Sequence, residues 1–204
     1  MTPGRDRAPL LVALHGKGDR LDRFRSEAED ALPGGWALLV PPATAPHSGE
    51  DDPGPGSWYF YDGDTPRFRA SLDRAVRHVV RVVAESRPGS GGERAALLGF
   101  SQGAYLAGVA AVRHPDIFRA AVLVGGRLKI EILGECVPEA RALGLRILAL
   151  HGEGDELVRP GPSRESVGKA REAGLDAEFR AFDAGHRFTP EMRAAAREWL
   201  ARLP

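Results

Sequence analysis

The chain lacks most of the features that would place it in a special class. Cys136 is the only cysteine in 204 residues, which excludes an internal disulfide framework and a thiolate metal cluster. Charge of one sign is not in excess: 28 Lys and Arg face 28 Asp and Glu, a formal net charge of +0. Nothing in that balance favours nucleic acid, an anionic membrane or a polyacidic partner. No apolar run approaches the length of a membrane span, and Met1 to Pro9 lacks the apolar centre of a secretion signal. A cytoplasmic address without stable membrane insertion is therefore expected. Phosphate-loop and dinucleotide glycine fingerprints are missing, no two histidines stand at ligand spacing, and there is no H-E-x-x-H. The expectation is no metal and no cofactor.

What remains is an ordinary soluble composition, 43% hydrophobic and 27% charged, over a length that suits a single domain spanning residues 1–204. Six short apolar runs read as strands: Leu10–Leu14, Ala37–Val40, Ala95–Leu98, Ala120–Val124, Ile147–Leu150 and Ala177–Phe182. The first five are apolar almost throughout, which predicts strands covered on both faces. Helical patterns lie between them. Phe68, Leu72, Val76, Val79, Val80 and Val83 make one stripe, opened by Thr65-Pro66 and stopped by Arg87-Pro88-Gly89. Ser163 to Ala173 reads as a second helix, and Thr189-Pro190 opens a last one carrying Met192, Ala196, Trp199 and Leu203. Alternation of this kind predicts an α/β fold, a mostly parallel sheet with helices on both faces and no separate lid. The stretch Ala43 to Gly56, rich in Pro, Gly, Ser and acid, reads as a surface loop or a rim. Leu128-Lys129-Ile130-Glu131-Ile132 alternates like a half-buried strand, expected to wall a pocket or to make a homodimer contact.

The chemistry concentrates at strand ends. Gly99-Phe100-Ser101-Gln102-Gly103 follows an apolar strand and precedes the small-residue stretch Ala104 to Val112. A serine on so sharp a turn projects its hydroxyl off the sheet, and flanking glycines remove the Cβ atoms that would clash. Ligands of open α/β sheets bind beyond the carboxyl ends of the strands. There the chain also places His15-Gly16-Lys17-Gly18-Asp19, His151-Gly152-Glu153-Gly154-Asp155 and Gly185-His186. Serine, acid and histidine thus share one edge. A hydroxyl needs a base to attack at neutral pH, imidazole is neutral yet basic there, and a carboxylate fixes its tautomer. Ser101 is the expected nucleophile, His186 the base and Asp155 the orienting acid. Asp155 is preferred over Glu153 and Asp183 because Leu157-Val158 beyond it can bury and anchor the turn. His78 and His114 read as solvated or capping, His47 as loosely held, and His15 and His151 as structural. The backbone N–H groups of Gln102 and Lys17 are the expected oxyanion donors.

Taken together, Leu14-His15-Gly16-x-Gly18-Asp19, the Phe-Ser-Gln-Gly-Ala elbow, His151-Gly152-x-x-Asp155-x-x-Val158 and Gly185-His186 resemble the α/β-hydrolase superfamily. They look most like its phospholipase/carboxylesterase branch, which includes the acyl-protein thioesterases. Ser57-Trp58-Tyr59 resembles that branch's tryptophan loop beside the acyl pocket. The resemblance implies a lidless α/β-hydrolase fold and the same triad and oxyanion donors. It also puts Trp58, His15 and Gly16 at the substrate-binding surface. Lys17 stands where the branch commonly has an apolar residue, and its side chain is expected in water. The implied activity is hydrolysis of small or medium acyl esters, a small-molecule substrate, through an acyl-enzyme. Thioester or lysophospholipid hydrolysis, and a catalytically silent binding protein, remain as alternatives.

Overall fold

The computed structural model describes residues 8–43, 56–86 and 93–204. The polar loop at 44–55 with His47, and the helix stop at Arg87-Pro88-Gly89, lie outside the described residues. Six strands, β1 (Leu10–Leu14), β2 (Ala37–Leu39), β3 (Ala95–Phe100), β4 (Phe118–Val124), β5 (Arg146–Gly152) and β6 (Asp176–Phe182), form one sheet in the order β2-β1-β3-β4-β5-β6. Every pairing is parallel. Parallel neighbours require crossovers, and helices supply them: α1 (Leu21–Asp30), α2 (Pro66–Ser86), α3 (Gln102–Arg113), α4 (Val137–Ala142), α5 (Pro160–Glu172) and α6 (Pro190–Leu200).

The pleat divides the core in two. Leu10, Val12 and Leu14 of β1 point to the face covered by α2, α3, α4 and α5, while Leu11 and Ala13 point to the face covered by α1 and α6. Strands β1, β3, β4 and β5 are buried along nearly their whole length, as their continuous apolar runs predict. Strand β2 corrects that expectation. It pairs only with β1, is exposed at Ala37 and half-buried at Leu38 and Leu39, because it is the edge of the sheet. Thr65 caps α2 by accepting the Phe68 N–H at 3.1 Å, and Thr189 caps α6 by accepting the Met192 N–H at 3.4 Å. Helix α5 starts at Pro160, ahead of the expected Ser163.

The segment after β4 is not a strand. Ile130–Ile132 and Gly134–Cys136 are short 3₁₀ turns leading into α4. Leu128, Ile130, Leu133 and Val137 are buried, and Arg127 pairs with Glu131 at 2.5 Å one turn on. From Ile130 onward, spacings of three and four residues thus overrule the apparent alternation. The neighbouring strand offers this segment no free side, since β4 is paired by β3 and β5. Among the described residues, no helix is long and apolar enough to cross a membrane.

Candidate active site

Strand β3 lies at the middle of the sheet, and the chain leaves it through Ser101. That residue has φ 53° and ψ −114°, and is the one described non-glycine residue with positive φ. Such backbone costs about 1–3 kcal/mol and persists only where its surroundings impose it. Here they do. The Ser101 N–H donates to the Val124 carbonyl of β4 at 2.8 Å, and the Ser101 carbonyl accepts from Ala104 and Tyr105 at 3.0 and 3.2 Å. A Cβ at Gly99 would lie 2.2 Å from the Gly103 carbonyl oxygen, and one at Gly103 would lie 2.1 Å from that of Leu14. Both glycines are therefore demanded by contact between backbones: the elbow is wedged between its own helix and the end of β1.

Asp155 follows β5 by three residues and is buried, at 3% exposure. One carboxylate oxygen, Oδ1, accepts the backbone N–H groups of Leu157 at 3.0 Å and Val158 at 2.8 Å. The other, Oδ2, lies 2.7 Å from Nδ1 of His186, which follows β6, and Nε2 of the same ring lies 2.9 Å from Ser101 Oγ. A proton on Nδ1 donated to the carboxylate leaves the Nε2 lone pair facing the hydroxyl, the tautomer a general base requires. The His186 ring packs on Phe100, with centroids 5.0 Å apart. The three side chains expected at one rim are therefore brought together. The anchoring of Asp155 differs from expectation in its cause. Leu157 is 79% exposed, so the turn is held by N–H donors and not by burying that side chain. Glu153 pairs instead with Arg164 at 2.6 Å, and Asp183 is exposed.

Residues around the elbow fall into place differently. The His15 carbonyl abuts Gly103, and a Cβ on Gly16 would lie 3.1 Å from the Phe100 ring, so the first exit loop lies against the nucleophile turn. Gln102 opens α3, and Lys17 sits in a turn with its side chain in water. Neither backbone N–H has a carbonyl partner among the described residues; at Gln102 that follows from its first-turn position. Trp58 is 1% exposed, donates its indole N–H to the His15 carbonyl at 2.8 Å, and packs tilted against the His15 ring, centroids 4.9 Å apart. It supports the first exit loop from beneath. His78 reaches the Pro42 carbonyl at 3.2 Å, and His114 caps α3. Burial pushes the phenols of Tyr59 and Tyr105 well up from their usual range, so both stay neutral and neither competes as a base.

One contact escaped the sequence reading. His151 is fully buried, its Nε2 lying 2.7 Å from the Val158 carbonyl and 3.3 Å from Asp155 Oδ2. It thus stiffens the turn that carries the acid. The only signal was its place in His151-Gly152-x-x-Asp155. Among the described residues, no group of three or more His, Cys, Asp or Glu could hold a metal ion.

A strained serine with imidazole and buried carboxylate in sequence is the arrangement of serine hydrolases, and a family model described as serine hydrolase (FSH1) matches residues 17–197. The chain belongs to that family. No curated protein matches this serine hydrolase in sequence. Its fold is shared by SOBER1 of Arabidopsis thaliana, at TM-score 0.80 and 22% identity, covering 96% of this chain and 98% of that one. Acyl-protein thioesterase 2 of Zea mays is similar at TM-score 0.79 and 22% identity, covering 95% and 93%. A carboxylesterase from Mesorhizobium loti is similar at TM-score 0.72 and 23% identity, covering 96% and 89%. The α/β-hydrolase fold, mostly parallel and flanked by helices on both faces, is thereby shown.

Proposed function

We propose that this hydrolase cleaves carboxylic esters of small or medium acyl groups through an acyl-enzyme on Ser101. The observation that carries the reading is the unbroken run from Asp155 Oδ2 to His186 Nδ1 at 2.7 Å and from His186 Nε2 to Ser101 Oγ at 2.9 Å. In the first half-reaction Oγ bonds to the ester carbonyl carbon while Nε2 takes its proton. The carbonyl electron pair moves onto oxygen, where the N–H groups of Gln102 and Lys17 receive it. Collapse breaks the bond to the alcohol, which leaves with the proton from His186. Water, deprotonated by the same nitrogen, then releases the acid and frees Ser101.

A thioester is the second reading, favoured by the likeness in fold to an acyl-protein thioesterase. The chemistry at Ser101 is the same; the leaving group is a thiolate, which departs without needing the imidazole proton. Esters and thioesters matched in acyl group, compared in kcat/KM, separate the two. His186→Ala is expected to lower kcat on esters by about 10⁴–10⁶, because among the described residues no other group is placed to accept the proton from Ser101. A loss of only a few-fold would remove His186 as the base.

A further inference from the structure

The side chain of Gln102, as distinct from its backbone, is bonded in a way that simple packing does not require. A primary amide offers an acceptor at one end and donors at the other. Here Oε1 accepts the Trp58 N–H at 2.9 Å, and Nε2 donates to the Tyr59 carbonyl at 2.9 Å. The amide therefore reads the backbone of two successive residues, and the reversed orientation would set donor against donor and acceptor against acceptor. Tyr59 adds a weaker tie, its hydroxyl donating to the Gln102 carbonyl at 3.4 Å.

The far side of the same short segment is fastened to the loop after β1. The Gly18 N–H donates to the Gly56 carbonyl at 3.1 Å, and the Trp58 indole N–H donates to the His15 carbonyl at 2.8 Å. Lys17 lies between those two anchor points. Residues 56–59 thus run from one expected oxyanion donor to the other, tied at both ends by hydrogen bonds of ordinary length. One donor N–H opens helix α3 and the other lies in the loop after β1, far apart in the chain, so nothing covalent sets their spacing.

We propose that Gln102 is a positioning residue whose side chain, through the Gly56–Tyr59 segment, sets the distance between the oxyanion donors on Gln102 and Lys17. The inference rests on the hydrolase reading above. Oxyanion stabilisation acts on charge that exists only in the transition state, so loosening the brace lowers kcat and leaves KM nearly alone.

The test uses the full chain with an ester substrate. Gln102→Met keeps the length and removes both hydrogen bonds; kcat is expected to fall roughly 10–100-fold with KM within about twofold, the scale of a donor misplaced by an ångström. Gln102→Glu adds a readout that mere packing would not give. Its carboxylate can accept from Trp58 but opposes the Tyr59 carbonyl, whereas its protonated form again offers one acceptor and one donor. The ratio of its kcat to that of the parent enzyme should therefore climb as pH falls from about 8 to about 5.5, while the ratio for Gln102→Met stays flat. The titratable groups beside the brace are His15, His78, Tyr59 and Tyr105, with His186 across Ser101; all are common to parent and variant and cancel in the ratio. Trp58→Phe, which keeps a ring and loses the bond to His15, should lower kcat less, again without KM.

Parental kcat in Gln102→Met, a flat ratio for Gln102→Glu, or a loss in Trp58→Phe confined to KM would each overturn the brace. Labelling of Ser101 by a fluorophosphonate separates this from the wider reading. An unlabelled parent enzyme removes the hydrolase assignment and the brace together; a labelled one with an unaffected Gln102→Met removes the brace alone. Should Gln102→Met fail to fold, the pH series on Gln102→Glu decides the matter within one variant.

Discussion

Ser101 and His186 meet at 2.9 Å, yet they hang from strands of opposite standing. Strand β3 is central, paired on both sides and buried from Ala95 to Gly99. Strand β6 is an edge, paired only with β5, with most of its residues half-buried or exposed. The nucleophile is placed by the chain itself: a forced dihedral, two backbones in contact and a helix that starts at once. The base is placed by side chains, an acid behind it and a phenyl ring beside it. The difference teaches that disturbing what holds each group should do damage of different kinds, to folding around the nucleophile and to chemistry around the base.

The largest test removes the hydroxyl. Ser101→Ala should lower kcat by about 10⁴–10⁶ with the fold intact, since what survives comes from binding and the oxyanion donors alone. On the other side, Asp155→Asn should cost about 10⁴ in kcat by favouring the wrong tautomer of His186, with little change in Tm because the isosteric amide oxygen can still accept from Leu157 and Val158. Steady-state kinetics paired with thermal unfolding checks both; a large drop in Tm for Asp155→Asn would break the contrast. Gly103→Ala is its mirror image. A Cβ placed 2.1 Å from the Leu14 carbonyl oxygen must move backbone, so stability should fall by about 2–4 kcal/mol, read from denaturant unfolding. The smallest effect is the sharpest. Ser101→Gly relieves the positive φ and should stand about 1 kcal/mol more stable than Ser101→Ala, a few degrees in Tm. Equal stabilities would mean that the turn stores no strain.

The strands, though not their order in the sheet, follow from patterns the chain displays openly. Continuous apolar runs mark β1, β3, β4 and β5 because burial on both faces removes polar residues from them. The elbow is equally open to reading, since its glycines are required by local geometry at fixed offsets from Ser101. Asp155 and His186 are legible because each lies within a few residues of a strand's end. The obscure parts are those whose cause lies elsewhere in the chain. Helix α1 buries only Phe24 and Ala28 and, apart from Leu21 and Ser26, is otherwise charged, so its apolar stripe is too thin to announce a helix. At Leu128–Ile132 two periodicities coincide over five residues, and β4 before them is already paired on both sides. The Gln102 amide meets Trp58 and Tyr59 from more than forty positions away, and no pattern around Gln102 signals it.

Helix α3 is buried around most of its circumference from Gly103 to Val112, with Gly108 set against Leu128 and Leu123. A rod so enclosed has no room to tilt or slide. The floor beneath Ser101 is accordingly the least adaptable part of the enzyme. New substrate preferences would have to be acquired in the connecting segments above the sheet, with the reacting centre left as it stands.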